Sequence, residues 1–295
     1  MLELIDIGHN GPALRDCIRA ERTARKLENA QACLLFKKGD RQSISNYRLL
    51  IIAPPMARYT SSAFGRQVMP ILESFFGDHQ HCFRKGRSCT SLLQIIESTI
   101  SNARTEGSNL IVIQLDISKA FDRLHRGALM SFVREVTKPL APEAALFIEA
   151  MYTGDSVSLS HQAETAKVML EAGIRQGDPM SPALFSALLG HALSPVLKKW
   201  EKQGWGYKGT MTNGEGYRVP IVAYADDITL MATTQGQANG MLADVSNALR
   251  GINLLIEPAK CSAFWSRYTE GHETTAIPWA KVTSRLSQTW KCWVS

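Results

Sequence analysis

The sequence predicts an α+β fold in which an antiparallel sheet packs on helices. Two observations predict the sheet. Residues 110–117 form an almost unbroken apolar run, and two further apolar segments, 219–223 and 228–231, flank a short polar pair. The long run is typical of a strand buried on both faces, and the flanked pair is typical of a β-hairpin. Helical spacing at 60–76 and 88–103 predicts the helices on which the sheet packs.

The polar pair is Asp226-Asp227, in the sequence Tyr224-Ala225-Asp226-Asp227. Two adjacent carboxylates on a tight turn repel each other unless a cation lies between them, and oxygen ligands suit Mg²⁺. Aspartate is also an ordinary turn residue. The pair by itself therefore leaves open both a metal site and a plain turn.

A third carboxylate, Asp116, lies near the end of the long apolar run. An unpaired carboxylate in a buried strand is costly, so Asp116 needs a metal ion, a partner or a water-filled cleft. The alternative is that Asp116 caps a helix beginning in residues 118–122. Both interpretations remain open for this residue taken alone.

The remaining elements follow from spacing and turn residues. Helical spacing predicts three more helices, at 10–30, 128–151 and 239–250. Short apolar segments predict two more hairpins and a strand, namely 34–36 with 47–53, 157–159 with 167–170, and 254–256. Ser181-Pro182 matches an N-cap followed by proline at the first helical position. Pro195 is expected to kink or split the helix that follows.

Composition excludes several classes of protein. Of the 295 residues, 45% are hydrophobic and 20% charged, which is typical of a globular chain and argues against wholesale disorder. No apolar stretch approaches 18 residues, so no membrane partner is expected. The six cysteines show no CxxC pair or regular spacing, which favours a reducing, intracellular compartment over a disulfide framework or a zinc site. The sequence does not reveal the oligomeric state.

Positive charge is concentrated in the first third of the chain. The net charge is +6, and residues 1–90 hold 14 Lys and Arg against 8 Asp and Glu. Any one basic cluster is an ordinary solvated surface in most proteins. Several clusters in one segment favour a polyanionic partner, and nucleic acid is the leading candidate.

The order of these features resembles the palm of reverse transcriptases, most closely the non-LTR (LINE-type) retrotransposon enzymes. The resemblance covers about residues 30–265. Three segments resemble the motifs A, B and C of that family, namely Leu115–Asp122, Gly173–Pro182 with Leu184-Phe185, and Tyr224–Asp227. Two more resemble its fingers motifs, Asn46-Tyr47-Arg48 and Phe83–Ser88. The resemblance implies a right-hand polymerase fold with palm and fingers.

The resemblance also implies a set of catalytic and metal-binding residues. Asp116, Asp226 and Asp227 match the catalytic carboxylates, which would hold two Mg²⁺ ions, with Mn²⁺ as a substitute. The Ile117 carbonyl is a further expected ligand. Lys260 matches a lysine proposed to protonate pyrophosphate, although a lone lysine near a strand end is commonly solvated.

Nucleotide and nucleic-acid contacts are implied in the same way. The expected dNTP contacts are Lys37, Lys38, Arg48, Phe121, Gln176 and Gly177. Among them Phe121 matches the aromatic residue that excludes a 2′-hydroxyl; the alternative is an ordinary core phenylalanine. The expected contacts with the RNA template and the DNA primer are Arg84, Lys85, Arg87, Ser181, Pro182 and Tyr224.

Departures from the family pattern are few. Leu49 follows Arg48 where the family usually has proline, and Cys82 and Cys89 replace a usual glycine and threonine. The expected organisation is an N-terminal helical extension at 1–30, fingers at 31–109, a palm at 110–265 with a fingers-derived segment at about 128–170, and a truncated tail at 266–295. The thumb is expected to be largely missing, as in the fingers-and-palm core of a larger polyprotein.

The function implied is an RNA-directed DNA polymerase that transfers nucleotides from dNTPs to the 3′ end of a DNA primer. A group II intron or retron-type reverse transcriptase shares the same three motifs and is the nearest alternative. A catalytically silent remnant that binds RNA is the alternative of a different class. A viral RNA-dependent RNA polymerase is disfavoured, because it usually has glycine before the paired aspartates and because Phe121 favours deoxynucleotides.

Overall fold

The computed structural model describes residues 30–153, 156–161, 164–211, 214–266 and 281–282. The chain divides into two compact units. The first unit contains residues 30–72 and Phe121–Phe185, and the second contains Glu73–Ala120 and the described residues from Ser186 onward. The predicted extension at 1–30, apart from Ala30, and most of the predicted tail at 266–295 lie outside the described residues. The predicted boundaries at 109 and 265 do not coincide with these units and stay predictions.

Runs of helices and runs of strands follow one another along the described chain. The helices are α1 (Pro55–Phe76), α2 (Cys89–Glu106), α3 (Ala120–Arg123), α4 (Arg126–Phe132), α5 (Pro142–Tyr152), α6 (Ser181–Gln203) and α7 (Gln235–Gly251). The strands are β1 (Gln31–Phe36), β2 (Tyr47–Ile52), β3 (Ile111–Leu115), β4 (Ser156–His161), β5 (Glu164–Met169), β6 (Tyr207–Thr210), β7 (Gly216–Val219), β8 (Ile221–Tyr224), β9 (Asp227–Ala232), β10 (Ser262–Trp265) and β11 (Lys281–Val282). None of the helices among these residues is long and apolar enough to cross a membrane.

The first unit is built on a four-stranded sheet of order β2-β1-β4-β5. Strands β1 and β2 form the predicted antiparallel hairpin, with Leu35 opposite Arg48. Strands β4 and β5 form the second predicted hairpin. A small core of Ala30, Ala32, Ile51 and Val157 supports one face of the sheet. Both hairpin predictions are therefore confirmed.

The second unit is built on a five-stranded sheet of order β11-β10-β3-β9-β8. Strand β3 is the predicted buried strand, and its neighbours β9 and β10 both run antiparallel to it. Helix α2 contributes Leu92, Ile96 and Ile100 to a core that also contains Val112 and Met231. Helix α7 packs against β9 and β3. This packing fixes the ends of β3 and β9, where the carboxylates lie.

Two predicted elements differ from the structure in kind or extent. The helix predicted at 128–151 is interrupted, because Val133–Thr137 forms a π-helical turn and Pro142 restarts the helix at α5. The strand predicted at 254–256 is absent: Asn253 has a φ of 60° and the Leu254 amide donates to the Leu249 carbonyl, closing the end of α7. The strand in that region is β10, which begins at Ser262.

The helix beginning near Ser181 also differs in detail. It continues through Pro195 as one helix, so of the two predicted outcomes the split is wrong and the kink stays a prediction. A single proline removes one helical hydrogen bond, and the remaining turns hold the helix together here. Ser181 is the first residue of α6 and not its N-cap. The Asp178 carboxylate accepts hydrogen bonds from the Met180 and Ser181 amides and so caps the helix.

Candidate active site

The pairing of β3 with β9 brings two of the predicted carboxylates together. Leu115 lies opposite Ile228 in this antiparallel ladder. Extending the same register by one residue sets Asp116, which follows β3, opposite Asp227, the first residue of β9. Residues that are far apart in sequence thus meet because their strands are neighbours in one sheet. Asp116 does not act as a helix N-cap here, since α3 begins only at Ala120.

The β8–β9 hairpin supplies the third carboxylate. Tyr224 pairs with Asp227, and Ala225 and Asp226 form the two-residue turn between them. Ala225 has a φ of 54°, a left-handed conformation that costs an L-residue about 1–2 kcal/mol. The turn sets Asp226 and Asp227 side by side at the end of the hairpin.

Electrostatics in this cluster disfavour full ionisation. Burial raises the pKa of Asp227 to about 7, and the negative charges of Asp226 and Asp116 act in the same direction. Burial is the main cause of the shift, and repulsion by the other two carboxylates adds to it when no cation is present. The cluster therefore has the charge and the oxygen ligands that suit a divalent cation.

Lys260 lies beside this cluster. Its Nζ donates a hydrogen bond to Asp116 Oδ1 at 3.2 Å. The two side chains form an ion pair that is partly exposed to solvent. Nearby, Ile117 and Ile256 form an isolated antiparallel bridge, with the Glu257 amide bonded to the Asp116 carbonyl and the Ser118 amide to the Leu255 carbonyl. This bridge ties the segment before Lys260 to the end of β3.

The part of the chain that the structure describes contains no preformed set of side-chain metal ligands. No three His, Cys, Asp or Glu side chains there are arranged closely enough to hold an ion. The donor set nevertheless fits a divalent cation chemically, because mutual repulsion among Asp116, Asp226 and Asp227 is what a bound cation would relieve. The Lys260 ammonium pairs with one of the three, Asp116, at the solvent-exposed side of the cluster.

One residue of the site has no counterpart among the sequence predictions. Gln80 is 1% exposed, and its side chain reaches the turn of the β8–β9 hairpin. The side-chain Oε1 accepts from the Ala225 amide at 2.9 Å, and Nε2 donates to the Ala225 carbonyl at 3.2 Å. Glutamine is usually an exposed residue, and its partner is 145 positions away, so residue type and local pattern gave no signal.

In the first unit, the segment Gly173–Gln176 docks on two other segments. The Ile174 amide donates to the Phe121 carbonyl at 2.7 Å, and the Ile51 amide donates to the Gln176 carbonyl at 2.7 Å. Gln176 Nε2 also donates to Asp122 Oδ1 at 3.1 Å. Phe121 and Gln176 line a cavity of about 120 Å³. Two of the residues predicted to contact the nucleotide therefore lie together.

Matches to known proteins agree with this geometry. The family model described as reverse transcriptase (RNA-dependent DNA polymerase) matches residues 36–281, most of the chain. The chain belongs to the reverse transcriptase family. Enzymes of this family use divalent metal ions, which accords with the carboxylate cluster at the end of β3.

Relatives of this chain come from transposable elements, among them R2 retrotransposons. A Pol polyprotein from the type-1 retrotransposable element R2 of Popillia japonica is 26% identical over 223 residues, which are 75% of this chain and 30% of the relative. An uncharacterised 149 kDa protein of transposon TX1 from Xenopus laevis is 27% identical, over 68% of this chain and 15% of the relative. The chain spans less than a third of the length of these relatives.

Solved structures confirm the right-hand polymerase fold. A telomerase from Candida tropicalis, truncated from its C-terminal domain, superimposes with a TM-score of 0.62 at 13% identity, over 85% of this chain and 52% of that one. An RNA polymerase complex inside a double-stranded RNA virus gives a TM-score of 0.57 at 14% identity, over 88% of this chain and 22% of that one. At such low identity the likeness concerns the fold.

Tyr224 of motif C contacts Cys82, the residue directly before the predicted fingers motif Phe83–Ser88. The Tyr224 side chain hydrogen bonds to Cys82, and this bond is the main cause that raises the pKa of Tyr224. Among the non-glycine residues of this loop, the positive φ belongs to Phe83, at 56°, and not to Cys82. The cysteine that replaces the family's glycine is therefore accommodated without a left-handed conformation at that position.

Two of the basic residues predicted to contact template or primer have partners within their own loop. Arg84 donates to the Gly77 carbonyl at 2.6 Å, and Arg87 forms an ion pair with Asp78 at 3.2 Å. Lys85 between them is exposed. The two guanidinium groups hold the loop in this structure, and contact of all three residues with nucleic acid stays a prediction.

The other predicted residues fall into exposed and buried groups. Lys37, Lys38 and Arg48 are exposed on the β1–β2 hairpin, as a triphosphate contact requires. Ser181 is fully buried, and its hydroxyl hydrogen bonds to Asp178 and to the Tyr152 hydroxyl. Ser181 thus stabilises the beginning of α6, and contact of Ser181 and the adjacent Pro182 with template or primer stays a prediction.

Proposed function

We propose that this chain contains the fingers and palm of an RNA-directed DNA polymerase of a non-LTR retrotransposon. The observation that supports this most directly is the register of β3 and β9, which sets Asp116 opposite Asp227, the residue next to Asp226 in the turn. Membership of the reverse transcriptase family supports the reaction class. R2-type relatives support the origin in a retrotransposon.

The reaction joins the 3′ oxygen of a DNA primer to the α-phosphorus of a dNTP and releases pyrophosphate. We assign Asp116, Asp226 and Asp227, with the Ile117 carbonyl, to two Mg²⁺ ions, for which Mn²⁺ is a substitute. When bound, such ions stabilise the charge that develops on the attacking and leaving oxygens. The Lys260 ammonium lies within reach of this site and is assigned to proton donation to pyrophosphate.

Residues of the first unit are assigned to the incoming nucleotide. Arg48, with Lys37 or Lys38, would bind the triphosphate, since a guanidinium matches phosphate oxygens. Phe121 would exclude a 2′-hydroxyl. Its ring stacks on Phe185, with ring centroids 4.7 Å apart, so its position is restrained by a second ring. A rigid aromatic side chain is suited to a steric role.

The template is proposed to be RNA. One structural neighbour, a Candida tropicalis telomerase, was solved in complex with a fragment of telomeric RNA. The excess of basic residues in the first third of this chain supports binding of a polyanion. The proposed partners are therefore an RNA template, a DNA primer and dNTPs.

Primer extension tests the proposal. The full chain is incubated with an RNA template, an annealed DNA primer, dNTPs and Mg²⁺, beside Asp226→Ala. We expect extension by the wild type and a loss of at least about 100-fold in the variant, since metal-assisted charge stabilisation amounts to several kcal/mol and each 1.36 kcal/mol is tenfold in rate.

The control for charge and stability is Asp244→Asn. Asp244 lies in the same unit, pairs with Lys199 at 2.7 Å and is outside the proposed site, so we expect extension to be retained. Failure of the wild type to extend with either Mg²⁺ or Mn²⁺, with RNA binding retained, would overturn the polymerase assignment. That outcome would support the RNA-binding remnant instead.

A further inference from the structure

We propose that Gln80 is a positioning residue for the catalytic turn: its side-chain amide holds Ala225 in the left-handed conformation that sets Asp226 and Asp227 side by side. This inference rests on the proposed function where it concerns catalysis. Its structural part concerns only the turn, and is tested separately. Gln80 touches no reacting atom and would act through the backbone of the turn.

The first argument is the complementarity of the hydrogen bonds. An amide side chain offers one acceptor and one donor, and Ala225 presents one donor and one acceptor. Gln80 Oε1 accepts from the Ala225 amide at 2.9 Å, while Nε2 donates to the Ala225 carbonyl at 3.2 Å. A hydroxyl or an ionised carboxylate cannot make this two-way match at both backbone atoms with the same geometry.

The second argument is that Gln80 is itself firmly held. Its Oε1 also accepts from the Cys82 amide at 3.1 Å. Its backbone forms a parallel bridge with Ala223, in which the His81 amide donates to the Ala223 carbonyl and the Ala223 amide donates to the His79 carbonyl. The side chain therefore projects from a segment that is paired with β8 directly before the turn.

The third argument is energetic. Ala225 has a φ of 54°. This left-handed conformation is unfavourable for an L-residue, and it persists only where surrounding residues stabilise it. Two mutually repelling carboxylates follow immediately, which adds to the cost of holding the turn. A buried amide bonded to both backbone atoms of Ala225 supplies such support, because hydrogen bonds shielded from water are strengthened.

Two substitutions separate positioning from simple loss of packing. Gln80→Leu keeps similar bulk and removes both polar atoms. Gln80→Glu keeps the shape of the side chain, but its hydrogen bonds to Ala225 depend on protonation. A protonated carboxyl group donates to the Ala225 carbonyl and accepts from the Ala225 amide. An ionised carboxylate can only accept. The ratio of Gln80→Glu to wild-type activity is therefore expected to rise as the pH falls from about 8.5 to about 6.

The control is Thr99→Val in α2. Thr99 is 1% exposed in the same unit, and its hydroxyl donates to the Ile95 carbonyl at 2.7 Å without contacting the turn. We expect it to reduce thermal stability by a similar amount to Gln80→Leu while keeping the wild-type kcat. For Gln80→Leu we expect kcat to fall roughly 10- to 100-fold, the scale of a small misplacement of reacting groups, with the KM for dNTP little changed.

Amide hydrogen exchange of Ala225 is the readout that needs no activity. It is measured on the full chain by mass spectrometry of fragments or by NMR. We expect faster exchange of this amide in Gln80→Leu, intermediate exchange that depends on pH in Gln80→Glu, and unchanged exchange in Thr99→Val. Binding of Mn²⁺, followed by electron paramagnetic resonance, is expected to weaken in Gln80→Leu.

The outcomes distinguish the two proposals. If the wild type extends no primer, the proposed function fails, and exchange at Ala225 still decides the structural role of Gln80. If Gln80→Leu keeps wild-type exchange at Ala225, the inference is overturned. It is also overturned if Gln80→Leu lowers kcat no more than Thr99→Val does at a similar loss of thermal stability, since that pattern is expected of lost packing alone.

Discussion

The segment at 173–177 and the turn at 224–227 both contain backbone with positive φ, but they obtain it from different residues. In the first segment glycine occupies these positions, with φ of 80° at Gly173 and 105° at Gly177. In the turn an alanine does so, at Ala225. Glycine adopts such conformations at little cost, whereas alanine requires support from its surroundings.

The two segments also differ in how other parts of their units hold them. The 173–177 segment has several partners: Ile51 and Phe121 bond to its backbone, and Arg126 donates to the Gly173 carbonyl at 3.0 Å. At the turn, both backbone bonding groups of Ala225 meet a single side chain, that of Gln80. The conformation of the 173–177 segment is therefore held by close contacts with several backbone groups, whereas that of the turn is held by the buried side-chain amide of Gln80.

Among substitutions that test this comparison, Gly177→Ala is expected to reduce the free energy of unfolding the most. A Cβ there would lie 2.7 Å from the Ile51 carbonyl oxygen, on backbone with a φ of 105°. We expect Gly177→Ala to lower the free energy of unfolding by about 2 kcal/mol and to raise the KM for dNTP roughly tenfold, since displaced contacts impair positioning. Denaturant unfolding and steady-state extension kinetics measure the two effects.

Gly107→Ala is the matched control for Gly177. Gly107 has a φ of 64°, but no atom lies within 4 Å of the place that an added methyl group would take, and it caps α2 in the second unit. We expect a loss of about 1 kcal/mol for the left-handed backbone and an unchanged KM. Equal effects of the two substitutions on KM would show that close contact at Gly177 has no special role.

A smaller change in the free energy of unfolding is expected when the charge of Asp227 is removed. Its folded-state pKa of about 7 lies above the ordinary value of 3.8, so the folded chain binds a proton more tightly than the unfolded chain. The stability that this provides is complete below about pH 4 and is lost as the pH rises to about 7. Without metal, Asp227→Asn is therefore expected to become progressively more stable than the wild type over this range.

Urea unfolding in EDTA between about pH 4 and pH 8 measures this difference. The gap in the free energy of unfolding should widen up to about pH 7 and then level off. Addition of Mn²⁺ at about pH 7.5 should narrow the gap, because a cation relieves the repulsion in the wild type. A gap that is constant with pH would contradict the raised pKa of Asp227.

The smallest effect is expected from Ala225→Gly, the reverse exchange to that at Gly177. Glycine removes the cost of the left-handed conformation, about 1–2 kcal/mol, but increases the entropy of the unfolded chain by a similar amount. We expect the free energy of unfolding to change by less than about 1 kcal/mol, as measured in urea. A large gain in stability would mean that Gln80 does not offset the strain at Ala225.

Much of the fold could be predicted because its signals are local. The apolar run at 110–117 and the hairpins at 34–53 and 219–231 carry their own strand patterns and turn residues. The strand predicted at 254–256 failed because Leu254 is buried by closing the end of a helix. Its apolar character was correct, but periodicity in so short a segment does not distinguish a strand from a helix end.

The candidate site was predictable only where motifs mark it. Asp116, Asp226 and Asp227 could be named from the sequence, and the register of β3 and β9 brings Asp116 and Asp227 together. Gln80 could not, because its role depends on a pairing with β8 that no local pattern encodes. The ion pair of Lys260 with Asp116 was equally hidden, since it depends on the bridge between Ile117 and Ile256.

The most direct test of the account is whether Asp116 and Asp226 share one metal site. Fe²⁺ is bound in place of Mg²⁺, and hydroxyl radicals generated with ascorbate and peroxide cut the chain near the bound ion. We predict cuts close to both Asp116 and Asp226, suppressed by excess Mg²⁺ and lost at both positions in Asp226→Asn. Cuts near Asp116 that persist in Asp226→Asn would contradict a shared site.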